Sequence, residues 1–104
     1  MQLEEKKKIL NTYILQETKI CRYRQMADLY PERRDEFIKK ADSCNRLRLR
    51  IEDSITGMDE DILSELLFQK YVFGKTLEEI AFNMNYSKRH IERLHITALE
   101  KLEI

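Results

Sequence analysis

The side chains best equipped for chemistry crowd into one short run near the C-terminus: Ser87, Lys88, Arg89, His90, Glu92 and Arg93. Arg89 and Arg93 are four residues apart, so on a helix they share a face. Either guanidinium can then make a bidentate contact with the O6/N7 edge of guanine. Glu92 either accepts from a cytosine amino group or repels phosphate. Ser87 and the free amides beside it can hold a backbone phosphate at a helix start. Lys75 and Thr76 open the preceding segment, where Thr76 can do the same on the other side of the groove. This is the chemistry of double-stranded DNA contact. Catalysis has little to work with. His90 and His95 are five apart and miss the shared face of an (i, i+4) zinc pair, so both read as surface histidines. Neither Cys21 nor Cys44 sits in a CxxC motif, and two glycines cannot build a phosphate-binding loop. The expectation is a non-enzyme with no metal and no cofactor.

These groups need a scaffold, and Thr76 to Leu102 supplies its signature. Thr76 with Glu79 is a capping box. Ile80, Ala81 and Met84 give a short apolar face, and Asn85 suits the left-handed residue that ends a helix. Ser87 then caps a second helix, whose apolar positions Ile91, Leu94, Ala98, Leu99 and Leu102 recur at three- and four-residue spacing. That inward face turns Lys88, Arg89, Glu92, Arg93 and Ile96 outward, in or near the N-terminal half. The pattern predicts a helix-turn-helix with residues 87–102 as the recognition helix.

The run T-L-E-E-I-A, then N-Y-S, then Ile91-x-x-Leu94 and Ala98-Leu99-x-x-Leu102, resembles region four of bacterial sigma factors. It is still more similar to the small phage regulators of the RinA/ArpU kind, over about Met58 to Leu102. The resemblance implies a sigma-like three-helix unit and a transcription-regulating role of phage or prophage type. It also implies DNA contacts for Lys88, Arg89, Glu92 and Arg93. Two positions depart from the pattern: Asn85 stands where sigma factors commonly carry glycine, and His90 where glutamate or arginine is more frequent.

Upstream, Asp59 and Asp61 fit the start of a helix bearing Ile62, Leu63, Leu66, Leu67, Phe68, Tyr71 and Val72, which stops at Gly74. It is the expected support for the helix-turn-helix, with Phe68, Tyr71, Phe73 and Phe82 read as core. From Leu3 to about Met26 nothing breaks a helix. Ile9, Tyr13, Ile20, Tyr23 and Ala27 form its stripe, Gln16 is the polar exception, and Leu10, Ile14 and Cys21 widen it. Glu4 to Lys8 reads as an exposed opening. Tyr30-Pro31 punctuates, with proline at the first position of a new helix. Phe37, Ala41, Cys44, Leu47, Ile51 and Ile55 make the second stripe, which closes at Thr56-Gly57. The two helices suit a hairpin or elbow, coiled-coil-like, closing within one chain or on a second protomer. Arg46, Arg48 and Arg50 either contact phosphates or snorkel over their own helix.

The expected fold is therefore all-α: residues 1–57 a long helical hairpin or elbow, residues 58–104 a helix-turn-helix domain. A composition 42% hydrophobic and 37% charged, with one proline, suits such a chain. No run reaches the length of a membrane span, no secretory signal opens it, and the two cysteines read as small buried residues, so a cytoplasmic protein is expected. Charge is unevenly placed. Residues 1–57 hold thirteen basic and ten acidic side chains, residues 58–104 six and nine, for a net charge of zero. DNA affinity then requires a locally basic face, a homodimer through the N-terminal helices, or RNA polymerase as a partner. The alternatives are a protein-interaction module that keeps the helix-turn-helix as a scaffold, and a DNA-packaging or recombination accessory protein.

Overall fold

A computed structural model describes all 104 residues, and the chain is all-α. In order come α1 (Leu3–Asn11), α2 (Tyr13–Leu29), a 3-10 turn (Pro31–Arg33), α3 (Arg34–Thr56), α4 (Asp61–Leu67), a π turn (Phe68–Val72), α5 (Leu77–Met84) and α6 (Lys88–Lys101). α2 and α3 close on each other within one chain as a long hairpin. α4, α5 and α6 form the compact C-terminal unit, and α1 lies against α6.

The sequence-predicted first helix is broken. Thr12 interrupts it: its amide and its hydroxyl both donate to the Ile9 carbonyl, at 3.1 and 2.6 Å, in place of the regular i−4 bond. A hydroxyl bonding back into the preceding turn bends a helix at that point. The bend lets α1 reach α6 while α2 follows α3. The stripe otherwise buries as its spacing dictates, with Tyr13, Gln16, Ile20 and Ala27 facing α3 and Phe37, Ala41, Ile51 and Ile55 facing back. Cys21, expected to widen the stripe, is exposed instead, and Ile14 is about half exposed and lies against Gly74. Cys44 is half-buried, so neither cysteine is a core residue.

At the far end of the hairpin Tyr30 precedes Pro31 in a non-helical conformation, and one 3-10 turn passes before α3 begins. Phe37 fills that end, with Tyr23 and Tyr30 ring centroids 6.4 and 6.3 Å away and the Arg33 guanidinium 4.7 Å above its ring. Near the base, the Tyr13 hydroxyl donates to Glu52, and Arg48 lies between Glu17 (3.7 Å) and Glu52 (4.0 Å). Arg48 thus serves the hairpin. At about 1.5 Å per residue α3 is roughly 35 Å long, and the whole chain is elongated, 53 × 26 × 21 Å.

One apolar cluster lies where the hairpin meets the C-terminal helices. Leu10, Tyr13, Ile51 and Ile55 join Leu63, Leu66, Leu67, Tyr71, Ile80, Ala81, Ile91, Ala98, Leu99 and Leu102 in it. Gly57 has an ordinary right-handed conformation, and the following segment is tied down by Ser64 Oγ donating to the Ile55 carbonyl at 2.9 Å. The predicted N-cap also moves. Glu60, not Asp59, precedes α4, and it makes no side-chain cap. The predicted continuous third helix passes into a π turn, in which the Phe73 amide bonds the Phe68 carbonyl five residues back. Gly74 ends it at φ +72°, a conformation that disfavours side chains, with Ile14 close against it.

Candidate nucleic-acid interface

α6 carries most of the predicted contact residues, and bonds at its start, middle and end fix where it lies. At its start, the capping box of α5 forms in full. The Glu79 amide donates to Thr76 Oγ1, and the Thr76 amide donates to Glu79 Oε1, each at 3.1 Å. α5 then stops because Asn85 takes the left-handed conformation, φ 59° and ψ 37°. The Tyr86 amide bonds the Ala81 carbonyl at 2.9 Å and the Asn85 amide the Phe82 carbonyl at 3.3 Å. These 6→1 and 5→2 bonds are the Schellman termination that such a residue permits. Ser87 Oγ accepts from the His90 amide at 3.1 Å and starts α6, leaving a three-residue turn.

The middle of α6 is held by His95. The sequence reading placed it on the surface; it is 8% exposed, and its Nε2 lies 2.7 Å from the Tyr71 hydroxyl. Burial pushes the His95 pKa down to about 4, helped by the nearby positive charges of Lys70 and Lys7. The neutral imidazole and the Tyr71 hydroxyl share this bond, with the donor set by the imidazole tautomer. Burial likewise pushes the Tyr71 phenol up to about 12, with the charge of Glu4 adding to it. Tyr71 lies within the π turn and is buried there.

The C-terminal end is held by Lys6, which was expected in a solvated opening turn. It is 8% exposed, and its ammonium donates to the carbonyls of Leu99 (2.7 Å) and Glu100 (3.2 Å). The last four carbonyls of a helix lack intrahelical donors and carry the negative end of the helix dipole. Lys6 meets both needs from a distant part of the chain. Lys101 pairs with Glu60 beside it.

Held this way, α6 buries Ile91, His95, Ala98 and Leu99, and Leu102 just beyond it. Arg89, Glu92 and Arg93 are exposed, and none of them makes an ion pair. At 100° per residue Arg89, Arg93, Ile96 and Glu100 fall within an arc of about 60° opposite the buried face, with Glu92 on its flank. The other predicted site residues are less free. Lys88 donates to Glu78 of α5 at 2.9 Å, a bond that raises the lysine pKa and lowers that of Glu78. His90 is half-buried, edge-on to Tyr86 with centroids 4.8 Å apart. The Thr76 hydroxyl is committed to the capping box, and Lys75 is half-buried and unpaired.

Two aromatic residues expected in the core are not there. Phe73 is 65% and Phe82 82% exposed, whereas Tyr71 is buried and Phe68 half-buried. Phe82 lies on the side of α5 opposite Ile80 and Ala81, so helical spacing alone places it outside. His95 and Lys6 also had a legible signal. His95 falls in the 91–95–98–102 series, and Lys6 in the series Leu3, Lys6, Leu10, Tyr13. No cluster of three or more histidine, cysteine or carboxylate side chains is placed to hold a metal, and no helix is long and apolar enough to cross a membrane. No family model, no curated protein and no solved structure matches the chain.

Proposed function

We propose that the chain is a sequence-specific double-stranded-DNA-binding transcription regulator, with α6 as its recognition helix. The observation that carries this reading is the pair of exposed, unpaired guanidiniums of Arg89 and Arg93 on the crest of α6. They follow a helix start whose free amides and dipole favour phosphate. The helix backbone is held at both ends and in the middle, and both guanidiniums are free of competing partners, so they can be used on a base edge. The likeness of Thr76–Leu102 to sigma region four and to RinA/ArpU-like regulators supports a phage or prophage role in the cytoplasm.

The electrostatics limit how such a protein binds. Glu78 neutralises Lys88, so Arg89, Arg93 and Lys75 remain as the free cations among the expected contact residues. With at most three phosphates neutralised per protomer, log affinity should fall against log salt with a slope of only about −1 to −3. Useful affinity then calls for a second copy or for RNA polymerase. The α2 and α3 stripes are already used within one chain, so a homodimer would have to employ outward side chains such as Leu15, Leu29 or Leu49. The protein-interaction reading is favoured by the exposure of Phe82 and Phe73, which nothing in the fold covers.

The test is selection of bound fragments from the source genome by purified protein across a salt series. Enrichment of one sequence motif with that slope supports the regulator. Fragments retained without a common motif, or none retained at physiological salt, overturn it in favour of a protein partner.

A further inference from the structure

α6 exposes one large apolar side chain, Ile96, at 47%. Ile96 belongs neither to the core cluster nor to the apolar residues packed against it. As a β-branched residue on a solvated helix face it also serves the helix less well than alanine. Of the ten large apolar side chains that the chain exposes, it is the one on α6. It shares the crest of α6 with Arg89 and Arg93, one turn beyond Arg93, and the next residue on that crest is Glu100, whose charge opposes approach to DNA. Ile96 therefore marks the inner end of the surface that α6 can lay into a groove.

We propose that Ile96 is a specificity-determining residue that reads the C5-methyl group of a thymine in the major groove. This rests on the DNA-binding reading above and extends it to the composition of the site. The major groove presents one apolar group, the thymine methyl, and an aliphatic side chain is its natural complement. Arg89 to Arg93 spans about 6 Å along the helix and Arg93 to Ile96 about 4.5 Å. For a helix lying along the groove, the thymine then falls one or two base pairs beyond the guanine met by Arg93, on the side away from Arg89.

The experiment uses the full chain and the duplex obtained by genomic selection, with each thymine replaced in turn by deoxyuridine, which removes only the methyl. Wild-type protein should lose about fourfold in affinity at one thymine per half-site, the value of one buried CH₂ group. Ile96→Ala should bind the thymine duplex more weakly and be indifferent to that replacement. Its melting temperature should match wild type, since Ile96 lies outside the core. Specific binding that survives with no thymine coupled to Ile96 overturns this inference alone. Failure to select any sequence removes the DNA-binding reading, and this inference with it.

Discussion

Replacing Lys6 by methionine keeps the aliphatic stem and deletes the ammonium that joins α1 to the end of α6. The carbonyls of Leu99 and Glu100 then lose their donor in a site where the lysine is 8% exposed. A hydrogen bond from a charged donor contributes about 1.5–3 kcal/mol, and the 3.2 Å bond should contribute less than the 2.7 Å one. Relief from burying an ammonium offsets part of the loss. The net destabilisation expected is about 2 kcal/mol. In a domain of this size that lowers the melting temperature by about 10 °C. Urea unfolding with Lys8→Met as the control is the assay, because Lys8 is exposed and unpaired and should move stability by less than about 0.5 kcal/mol. Amide exchange should quicken most in the last turn of α6, where the bonds were lost. If Lys6→Met is as stable as Lys8→Met, the clamp contributes nothing, and the argument that α1 fixes α6 fails.

Acid should loosen the same helix through His95. Its pKa is about 4 in the folded chain against 6.5 for the free side chain, so between these values the unfolded state binds the extra proton. The contribution is fully present above pH 6.5 and declines as pH falls towards 4, by about 3 kcal/mol in all. Unfolding free energies measured from pH 7.5 to 4 should show this slope in wild type and lose it in His95→Leu. The turn offers a local test. Asn85→Gly should be neutral or stabilising, because glycine adopts the left-handed conformation freely. Asn85→Val should cost at least about 1–2 kcal/mol, as read by thermal melting.

Local chemistry and periodicity were enough to place most elements. The capping box at Thr76, the left-handed Asn85, the Ser87 cap and the two hairpin stripes each depend on residues a few positions apart, so the sequence carries them openly. Contacts made across the chain were not legible in the same way. Lys6 reaches Leu99 from ninety-three residues away, and Tyr71 meets His95 across twenty-four. A lysine among lysines, or a histidine among arginines, resembles solvated surface until a partner element covers it. Thr12 shows the same limit on a smaller scale, since threonine tolerates helix and bend alike. For the candidate interface, the outward set on α6 followed from spacing. The pairing of Lys88 with Glu78 and the packing of His90 on Tyr86 did not, because both depend on where α5 lies.

We propose that Arg89 and Arg93 read base edges from the crest of α6. The most direct measurement is the affinity of Arg89→Ala/Arg93→Ala for the selected duplex and for scrambled DNA of the same length. Each bidentate contact carries about 1–3 kcal/mol of discrimination. The double variant should therefore keep its fold and most of its weak binding to scrambled DNA while losing at least about thirtyfold on the selected duplex. Undiminished preference for the selected duplex would contradict the assignment of α6 as the recognition helix.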